Sequence, residues 1–141
     1  MTTYAIARAA DPVRAHEAIW AHLLAFNQAA VGDAEGAPFA LEITADGDPA
    51  VRGGLWAASL WGSFYIGLVI TPAEARGHGL GRELMRRAEA EARARGCRQM
   101  WLDTFAFQAR PFYEQLGFAL FGQIDGPPPI FPRYFMQKLL D

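Results

Sequence analysis

The sequence of 141 residues predicts a single α/β (α+β) domain, with a mixed, mostly antiparallel sheet of about seven strands and roughly three to four helices. Three observations lead to this prediction. The length suits one domain with its own core. Short β-rich runs are bounded by turn residues, and segments with helical periodicity lie between them. With 52% apolar and 20% charged residues, the composition is that of a packed globular chain.

The N-terminal part of the chain is predicted to hold a short edge strand and then a long helix. Residues 4–9 alternate weakly between polar and apolar positions, which favours a strand. Asp11 and Pro12 then offer an N-cap and a first-turn proline. Gly32 is a plausible helix stop, and residues 32–38 are predicted to be a loop.

The middle of the chain predicts two consecutive hairpins. Residues 39–45 alternate as a half-buried strand, and the run Asp46-Gly47-Asp48-Pro49 is strong turn chemistry. Residues 53–73 carry no charge and could nominally span a bilayer. However, glycines interrupt that stretch and Trp61-Gly62-Ser63 is typical of a turn, so two buried strands are predicted, the second over residues 63–71.

The second half alternates helices and strands. A helix is predicted from residue 80 to Gly96, because apolar residues recur every four positions and favourable Glu–Arg pairs lie at i,i+4. A strand over 98–105 and a short helix over 107–116 follow, with Pro111 tolerable only in that helix's first turn. The tail predicts strands over 118–124 and 133–140, separated by a proline-rich loop.

Charge and cysteine content narrow the possible functions. The formal net charge of −2 gives no global basic excess, so neither nucleic acid nor a membrane is expected as a partner. The single cysteine, Cys97, cannot form an internal disulfide and is expected to be a small core residue. The N-terminus does not resemble a signal peptide, so a cytoplasmic protein is expected. His16 and His22 are six residues apart, which is unsuitable for a shared metal site, and no metal is expected.

A glycine-rich segment, EARGHGLGRELM, lies between a predicted strand and a predicted helix. Its backbone N–H groups and the positive end of the helix dipole would face one point, which favours a phosphate. The alternative is a glycine-rich helix entry that binds nothing. A P-loop is excluded because Arg82 and Glu83 follow Gly81, and a dinucleotide fingerprint would need glycine at position 82.

The segment Arg76-x-x-Gly79-x-Gly81 follows Leu68-x-Ile70-x-Pro72 and precedes Ala109-x-x-Phe112-Tyr113-Glu114-Gln115-Leu116-Gly117-Phe118. At this spacing the motifs resemble the GNAT superfamily of acyl-CoA-dependent N-acetyltransferases, with a firm match over residues 68–118. The resemblance implies one GNAT-like domain over residues 1–141, with central strands that splay near residues 102–104 to admit the coenzyme. It implies acetyl-CoA (coenzyme A) as cosubstrate.

The resemblance also implies which residues bind the coenzyme. Amides of the glycine loop would hold the pyrophosphate, and the central strand would pair with the pantetheine arm. Tyr113 matches the family's tyrosine near the thioester sulfur, where it would protonate the leaving thiolate; the alternative is an ordinary packed tyrosine. The implied coenzyme contacts are Leu68, Val69, Ile70, Arg76, Gly77, His78, Gly79, Leu80, Gly81, Arg82 and Phe112.

The general base cannot be carried over from the family, because the predicted central strand, residues 64–70, contains no carboxylate. Asp103 and Tyr65 are the first candidates, followed by Glu42. An equally weighted alternative makes Asp103 a cap or a turn acceptor. An amine acceptor with a low pKa would need no base.

The acceptor pocket is predicted to draw on Phe26, Asn27, Trp61 and Phe105, although aromatic residues are more often plain core. The predicted activity is direct transfer of acetyl from acetyl-CoA to a primary amine of a small molecule or protein, in a ternary complex. The alternative is a catalytically silent acyl-CoA-binding sensor or interaction module. Dimers are frequent in the superfamily, so a homodimer is admitted by analogy.

Overall fold

A computed structural model describes residues 1–33 and 36–141. The chain forms two compact units, residues 1–34 and 35–141. The first unit contains helix α1, Pro12–Val31. The Asp11 side chain accepts hydrogen bonds from the backbone N–H groups of Val13 and Arg14, at 3.1 and 3.2 Å. At the other end Gly32 has φ +88°. The predicted start and stop of this helix are therefore confirmed, because both depend on local cap chemistry.

The prediction of a strand over residues 4–9 is wrong, since these residues have no regular secondary structure. A strand is held by a ladder to a neighbour, and the described sheet includes none of these residues. In this weak alternation Tyr4 and Ile6 are separated by alanines, which offer little apolar surface to bury. The predicted loop over 32–38 includes residues 34 and 35, which lie outside the described residues.

The second unit is built on a six-stranded sheet. Its strands are β1 Pro38–Ala45, β2 Asp48–Leu60, β3 Ser63–Ile70, β4 Gln99–Phe105, β5 Ala119–Ile124 and β6 Arg133–Leu139. The spatial order is β1-β2-β3-β4-β6-β5. The β3–β4 pair is parallel, and the other neighbouring pairs are antiparallel. The predicted fold class, mixed and mostly antiparallel, is confirmed, with six strands in place of about seven.

Helix α2, Leu80–Ala94, covers one face of this sheet and completes the core. Its buried residues Leu84, Met85, Ala88 and Ala92 lie at the spacing that the sequence predicted. Burying a side chain as large as that of Phe64 or Met100 stabilises the fold by about 1.5–3 kcal/mol. Cys97 is buried here, as expected. The sheet contributes Leu55, Ala57, Phe64, Ile66, Met100, Leu102 and Met136 to the core.

Helix α3 spans Arg110–Gln115 and begins later than the predicted residue 107. Pro111 explains the difference, because proline has no N–H group and is tolerated only in a helix's first turn. Residues 106 and 107 form a turn instead. The Gln108 side chain closes this turn by accepting a hydrogen bond from the backbone N–H of Phe105 at 2.7 Å.

A β-bulge lies in the middle of β3. Trp56 pairs with Leu68, whereas Ala57 pairs with Ile66, so Gly67 is one extra residue in the strand. A Cβ atom at Gly67 would lie 2.9 Å from the Trp56 ring, which explains the glycine. Bulges bend a strand and increase its twist.

The parallel ladder between β3 and β4 ends immediately before this bulge. It consists of the pairs Ser63–Gln99, Phe64–Met100 and Tyr65–Trp101. Beyond Tyr65 the two strands separate. The predicted splay of the central strands is confirmed, and it opens the middle of the sheet.

No helix among residues 1–33 and 36–141 is long and apolar enough to cross a membrane. The uncharged stretch over residues 53–73 forms most of β2 and all of β3, separated by a turn at Trp61 and Gly62. This agrees with the prediction of two strands.

We expect Gly54→Ala to cost about 2–3 kcal/mol of unfolding free energy. Gly54 has φ +147°, and a Cβ atom there would lie 2.0 Å from the backbone oxygen of Leu41 on the neighbouring strand. Gly47→Ala is the matched control, because its only cost is the backbone strain of an alanine at φ +76°. A Cβ atom at Gly47 lies within 4 Å of none of the described atoms. Urea unfolding measures both variants. Equal losses would contradict the proposed collision.

Candidate functional site

A cavity of about 880 Å³ lies where β3 and β4 separate. Three segments line it: the C-terminal half of β3, the loop that leads into α2, and the end of β4 with the start of α3. Small-molecule and cofactor sites usually measure ~300–1,000 Å³, so this cavity suits a large ligand. Among the predicted coenzyme contacts, the residues that line it are Leu68, Val69, Ile70, Arg76, Gly77, Gly79, Leu80, Gly81, Arg82 and Phe112.

The edge of β3 supplies one wall of the cavity. Since its ladder to β4 ends at Tyr65, residues 66–70 have no strand partner on that side in the described sheet. Their backbone N–H and C=O groups on this edge remain available as donors and acceptors. An extended ligand with amide groups can bind such an edge as an added strand would.

The N-terminus of α2 supplies the second wall. The first intrahelical bond is donated by Glu83 N–H to the Gly79 carbonyl, at 3.0 Å. The N–H groups of Leu80, Gly81 and Arg82 therefore precede the helical ladder, and no described side chain caps them. All three residues line the cavity. Together with the helix dipole, these N–H groups make an anion site.

The three glycines of this loop have different physical roles. Gly77 and Gly79 have φ +83° and +81°, a left-handed conformation that favours glycine. A Cβ atom at either position meets none of the described atoms within 4 Å, so these glycines keep the loop surface open. A Cβ atom at Gly81 would lie 3.2 Å from the Phe112 ring, so Gly81 is needed for packing α3 against α2.

The glycine loop and the start of α2 carry four arginines, which are divided between the cavity and the helix surface. Arg86 and Arg87 both bind Glu83, at 2.7 and 2.8 Å, and their hydrogen bonds lower the pKa of Glu83 to about 2. Arg76 and Arg82 line the cavity. The Arg82 side chain donates to Gln115 at 2.9 Å, whereas the Arg76 side chain has no partner among the residues that the structure describes. Arg76 is therefore the cation best placed to meet an anionic ligand.

Tyr113 lies on α3, lines the cavity, and is only 8% exposed. Its ring packs edge-on against Phe112 and Phe118, with centroid distances of 5.2 and 6.1 Å. Burial raises the pKa of the Tyr113 phenol above its ordinary value, because a phenolate would lose hydration. Among the described residues, every side-chain nitrogen or oxygen that is fully buried has a hydrogen-bond partner. The Tyr113 hydroxyl has no hydrogen-bond partner among them, so it is not fully buried. It therefore reaches the open space of the cavity.

Of the three candidate bases, the structure brings only Asp103 to the cavity. Arg133 Nε donates to Asp103 Oδ1 at 2.7 Å. That hydrogen bond raises the pKa of Arg133, and the nearby Tyr65 adds to the effect. Tyr65 packs its ring on Trp101 at 4.3 Å, beside the lining residues. Glu42 lies on β1, which pairs with β2 at the far edge of the sheet.

The predicted acceptor residues are dispersed. Phe105 stacks on Phe107 at 5.5 Å, and Phe107 lines the cavity. Trp61 lies in the turn before β3, at the opposite end of that strand. Phe26 and Asn27 lie on α1 in the first unit, and their assignment stays a prediction.

His78, predicted as a coenzyme contact, is in the glycine loop but is not among the lining residues.

Sequence reasoning missed Gly67, which lines this site, and Arg133, which pairs with the lining residue Asp103. Gly67 could have been found, since an isolated glycine within a strand pattern suggests a bulge. Arg133 gave no signal, because only the β4–β6 register brings it to Asp103. Within the described residues, no group of three or more His, Cys, Asp or Glu side chains could hold a metal ion.

Comparisons with known proteins agree with this geometry. The family model of the acetyltransferase (GNAT) family matches residues 3–118. An acetyltransferase of Agrobacterium fabrum is 36% identical over 113 residues, which cover 80% of this chain and 81% of that protein. Blasticidin-S acetyltransferase of Streptomyces morookaense is 38% identical over 91 residues, or 64% of this chain and 67% of that protein.

A solved structure shows the same fold. The crystal structure of a protein from Agrobacterium tumefaciens, assigned as an acetyltransferase, superposes with a TM-score of 0.86 and 29% identity. The superposition covers 99% of this chain and 100% of that chain.

We expect Tyr113 to keep its proton beyond pH 10, because burial disfavours the phenolate and so moves the pKa up from about 10. The ionisation is followed by NMR of the protein with ¹³C-labelled tyrosine rings, and the Tyr113→Phe variant identifies the resonance. A Tyr113 resonance that titrates below pH 10 would contradict this expectation.

Proposed function

The chain belongs to the acetyltransferase (GNAT) family and is an acyltransferase enzyme, and we propose that it transfers acetyl from acetyl-CoA to a primary amine. The observation that carries the proposal is the combination of features in one cavity. An unpaired strand edge, an uncapped helix N-terminus and the buried Tyr113 all line it. These are the donors that a long, amide-containing, phosphorylated thioester needs.

The described residues fit coenzyme A in three respects. The pyrophosphate would bind the N–H groups at the start of α2, with Arg76 beside them. The pantetheine amides would pair with the edge of β3. The volume of about 880 Å³ is at the upper end of the usual range for ligand sites, ~300–1,000 Å³. When bound, acetyl-CoA supplies an activated acyl carbon.

Transfer needs a donor for the oxyanion of the tetrahedral intermediate and a proton for the departing sulfur. A backbone N–H of β3 near the bulge, at Leu68 or a neighbour, is assigned to the oxyanion. Tyr113 is assigned to the sulfur. A thiol has a pKa of about 8.5, lower than that of a phenol, so the proton transfer is a modest uphill step that direct contact makes feasible. A phenol with its ordinary pKa of about 10 already carries its proton at neutral pH, and burial, which raises the pKa of Tyr113, acts in the same direction.

The amine must lose a proton before it attacks the acyl carbon directly in a ternary complex. A lysine-like amine with a pKa of about 10.4 is only ~0.1% neutral at pH 7. Of the described residues that line the cavity, Asp103 is the one carboxylate, and it is assigned to accept this proton, directly or through water. Tyr65 is the second candidate, because it packs on Trp101, two residues before Asp103 in β4, and lies near Arg133.

A small-molecule amine is the first acceptor to test, and a protein amine is the second. The Streptomyces relative is named for a small molecule, blasticidin-S, which supports this order. Action in the cytoplasm, independence from metal, nucleic acid and membrane, and assembly as a homodimer remain proposals that follow from composition and analogy.

We expect acetyl-CoA at 100 times its dissociation constant to stabilise the protein by about 2.7 kcal/mol, which raises the unfolding midpoint by roughly 5–10 °C. Gly79→Glu should reduce this shift by more than half, because it places a carboxylate at the anion site. Gly96→Glu is the matched control, with a similar φ of +74° at the other end of α2. Thermal unfolding with and without acetyl-CoA decides the point. If wild type does not shift, coenzyme binding is wrong; if both variants shift equally, the pyrophosphate assignment is wrong.

We expect Tyr113→Phe to lower kcat by about 10²-fold, with little change in the KM for acetyl-CoA, since only the proton donor is removed. The assay is release of free thiol from acetyl-CoA over a library of primary amines. Tyr134→Phe is the control, because Tyr134 is a half-buried tyrosine of the same unit that is not a lining residue. Equal kcat values for the two variants would remove Tyr113 from the mechanism. Absence of thiol release with every amine would overturn the proposed function.

A further inference from the structure

An ion pair at the cavity connects β4 to β6. In the antiparallel register Asp103 lies opposite Phe135, and Phe105 lies opposite Arg133. Residues i and i+2 of a strand share a face, so these four side chains lie on the same face of the sheet. Asp103 lines the cavity with its side chain 13% exposed, and Arg133 is 38% exposed. Their contact is Nε to Oδ1, at 2.7 Å.

Two aromatic rings hold the Arg133 side chain in place. Its Cζ lies 5.1 Å from the Phe105 ring centroid and 5.4 Å from that of Phe135. Contacts of this kind fix the guanidinium without using its N–H donors. Phe105 itself stacks on Phe107, a lining residue. Arg133 does not itself line the cavity, but its contact with Asp103 places it at the margin before any ligand arrives.

The Asp103–Arg133 pair leaves most of its hydrogen-bond donors and acceptors unused. A structural Arg–carboxylate pair is frequently bidentate, with two parallel bonds to two oxygens. Here only the Nε–Oδ1 bond forms between the side chains, and neither makes a further hydrogen bond among residues 1–33 and 36–141. Asp103 Oδ2 keeps its acceptor capacity, and the two terminal NH₂ groups of Arg133 keep their donors.

This arrangement discriminates between kinds of amine by charge. A simple ammonium ion that approaches Asp103 is attracted by the carboxylate and repelled by the adjacent guanidinium, and the two effects largely offset each other at similar distances. An amine that also carries a negative group is attracted by both. Its ammonium matches the acceptor on Asp103, and its anion matches the donors on Arg133.

We propose that the acceptor is a zwitterionic amine, of which an amino acid is the simplest example. Its amino group binds Asp103 Oδ2 and its carboxylate binds the terminal N–H groups of Arg133. The inference rests on the proposed function, because it assigns the acceptor of that reaction. Arg133 is then a specificity-determining residue that touches the acceptor, and Asp103 is positioned by it.

The experiment compares the common amino acids that have a primary amino group and no side-chain carboxylate with their decarboxylated amines, in the presence of coenzyme A. Isothermal titration calorimetry measures binding, and thiol release from acetyl-CoA measures transfer. A charge-assisted hydrogen bond contributes enough to change affinity about ten- to a hundred-fold. We therefore expect at least one amino acid to bind wild type ten-fold or more tightly than its matched amine. If no pair reaches that ratio, the inference is overturned.

The variant Arg133→Gln should abolish the discrimination, because the amino acid loses the partner of its carboxylate and the simple amine loses the repulsion from the guanidinium. Arg133→Lys should restore part of the discrimination. Arg110→Gln is the matched control. Arg110 also lies over a ring of β6, 4.6 Å from the Tyr134 centroid, and is 3.7 Å from Glu114, but Glu114 does not line the cavity, whereas Asp103 does. Thermal unfolding confirms that each variant is folded. A preference that persists in folded Arg133→Gln would overturn the assignment to Arg133.

The two measurements separate this inference from the proposed function. If thiol is released equally with amino acids and with their decarboxylated amines, acetyl transfer stands and the zwitterion inference fails. If amino acids bind preferentially but no amine releases thiol, the binding site stands and amine acetylation fails. If there is neither preferential binding nor release, both are overturned.

Discussion

The site depends on the early end of one strand ladder. β3 and β4 share only three residue pairs, and the bulge at Gly67 bends β3 immediately after the last of them. If the ladder continued, the backbone groups of residues 66–70 would bond to β4 and no cavity would exist. Because it stops, the sheet exposes a line of donors and acceptors in its own centre. A strand edge inside a sheet is costly unless a ligand or solvent satisfies it, so these backbone groups need one of the two as a partner.

The other parts of the site are arranged around this opening by elements that the sequence specifies locally. The glycine loop turns the chain so that α2 begins with its N–H groups at the cavity, and Gly81 leaves room for Phe112. Packing of Phe112 fixes α3, which in turn holds Tyr113 with its hydroxyl at the open space. The proposed anion site and the proposed proton donor are therefore coupled through one contact between a glycine and an aromatic ring.

Local chemistry explains which features could be predicted from the sequence. The bounds of α1 followed from Asp11, Pro12 and Gly32, because caps act within a few residues. The strand predicted over residues 4–9 was wrong, since pairing depends on a partner that sequence alternation does not supply. The splay was anticipated only through a family resemblance. No local pattern reports where a parallel ladder between distant segments will end.

The positions within the candidate site divide in the same way. Residues of the glycine loop share a continuous motif, so they could be proposed together. Trp61 was placed at the cavity because it is aromatic and near β3 in sequence, but the strand carries it to the opposite end. Asp103 could be suggested from its strand, whereas Arg133 could not, because thirty residues separate the two side chains of the ion pair.

The short β3–β4 ladder also has a consequence for cooperativity. Within the described sheet, strands β1-β2-β3 are joined to strands β4-β6-β5 by the three residue pairs of the β3–β4 ladder. Two half-sheets with so narrow a seam can fluctuate as separate foldons, with α2 packed across their common face. A ligand that hydrogen-bonds to β3 and also contacts β4 would connect the two strands where their own ladder is absent. The cosubstrate would then act as a structural element, making the two halves of the sheet unfold as one.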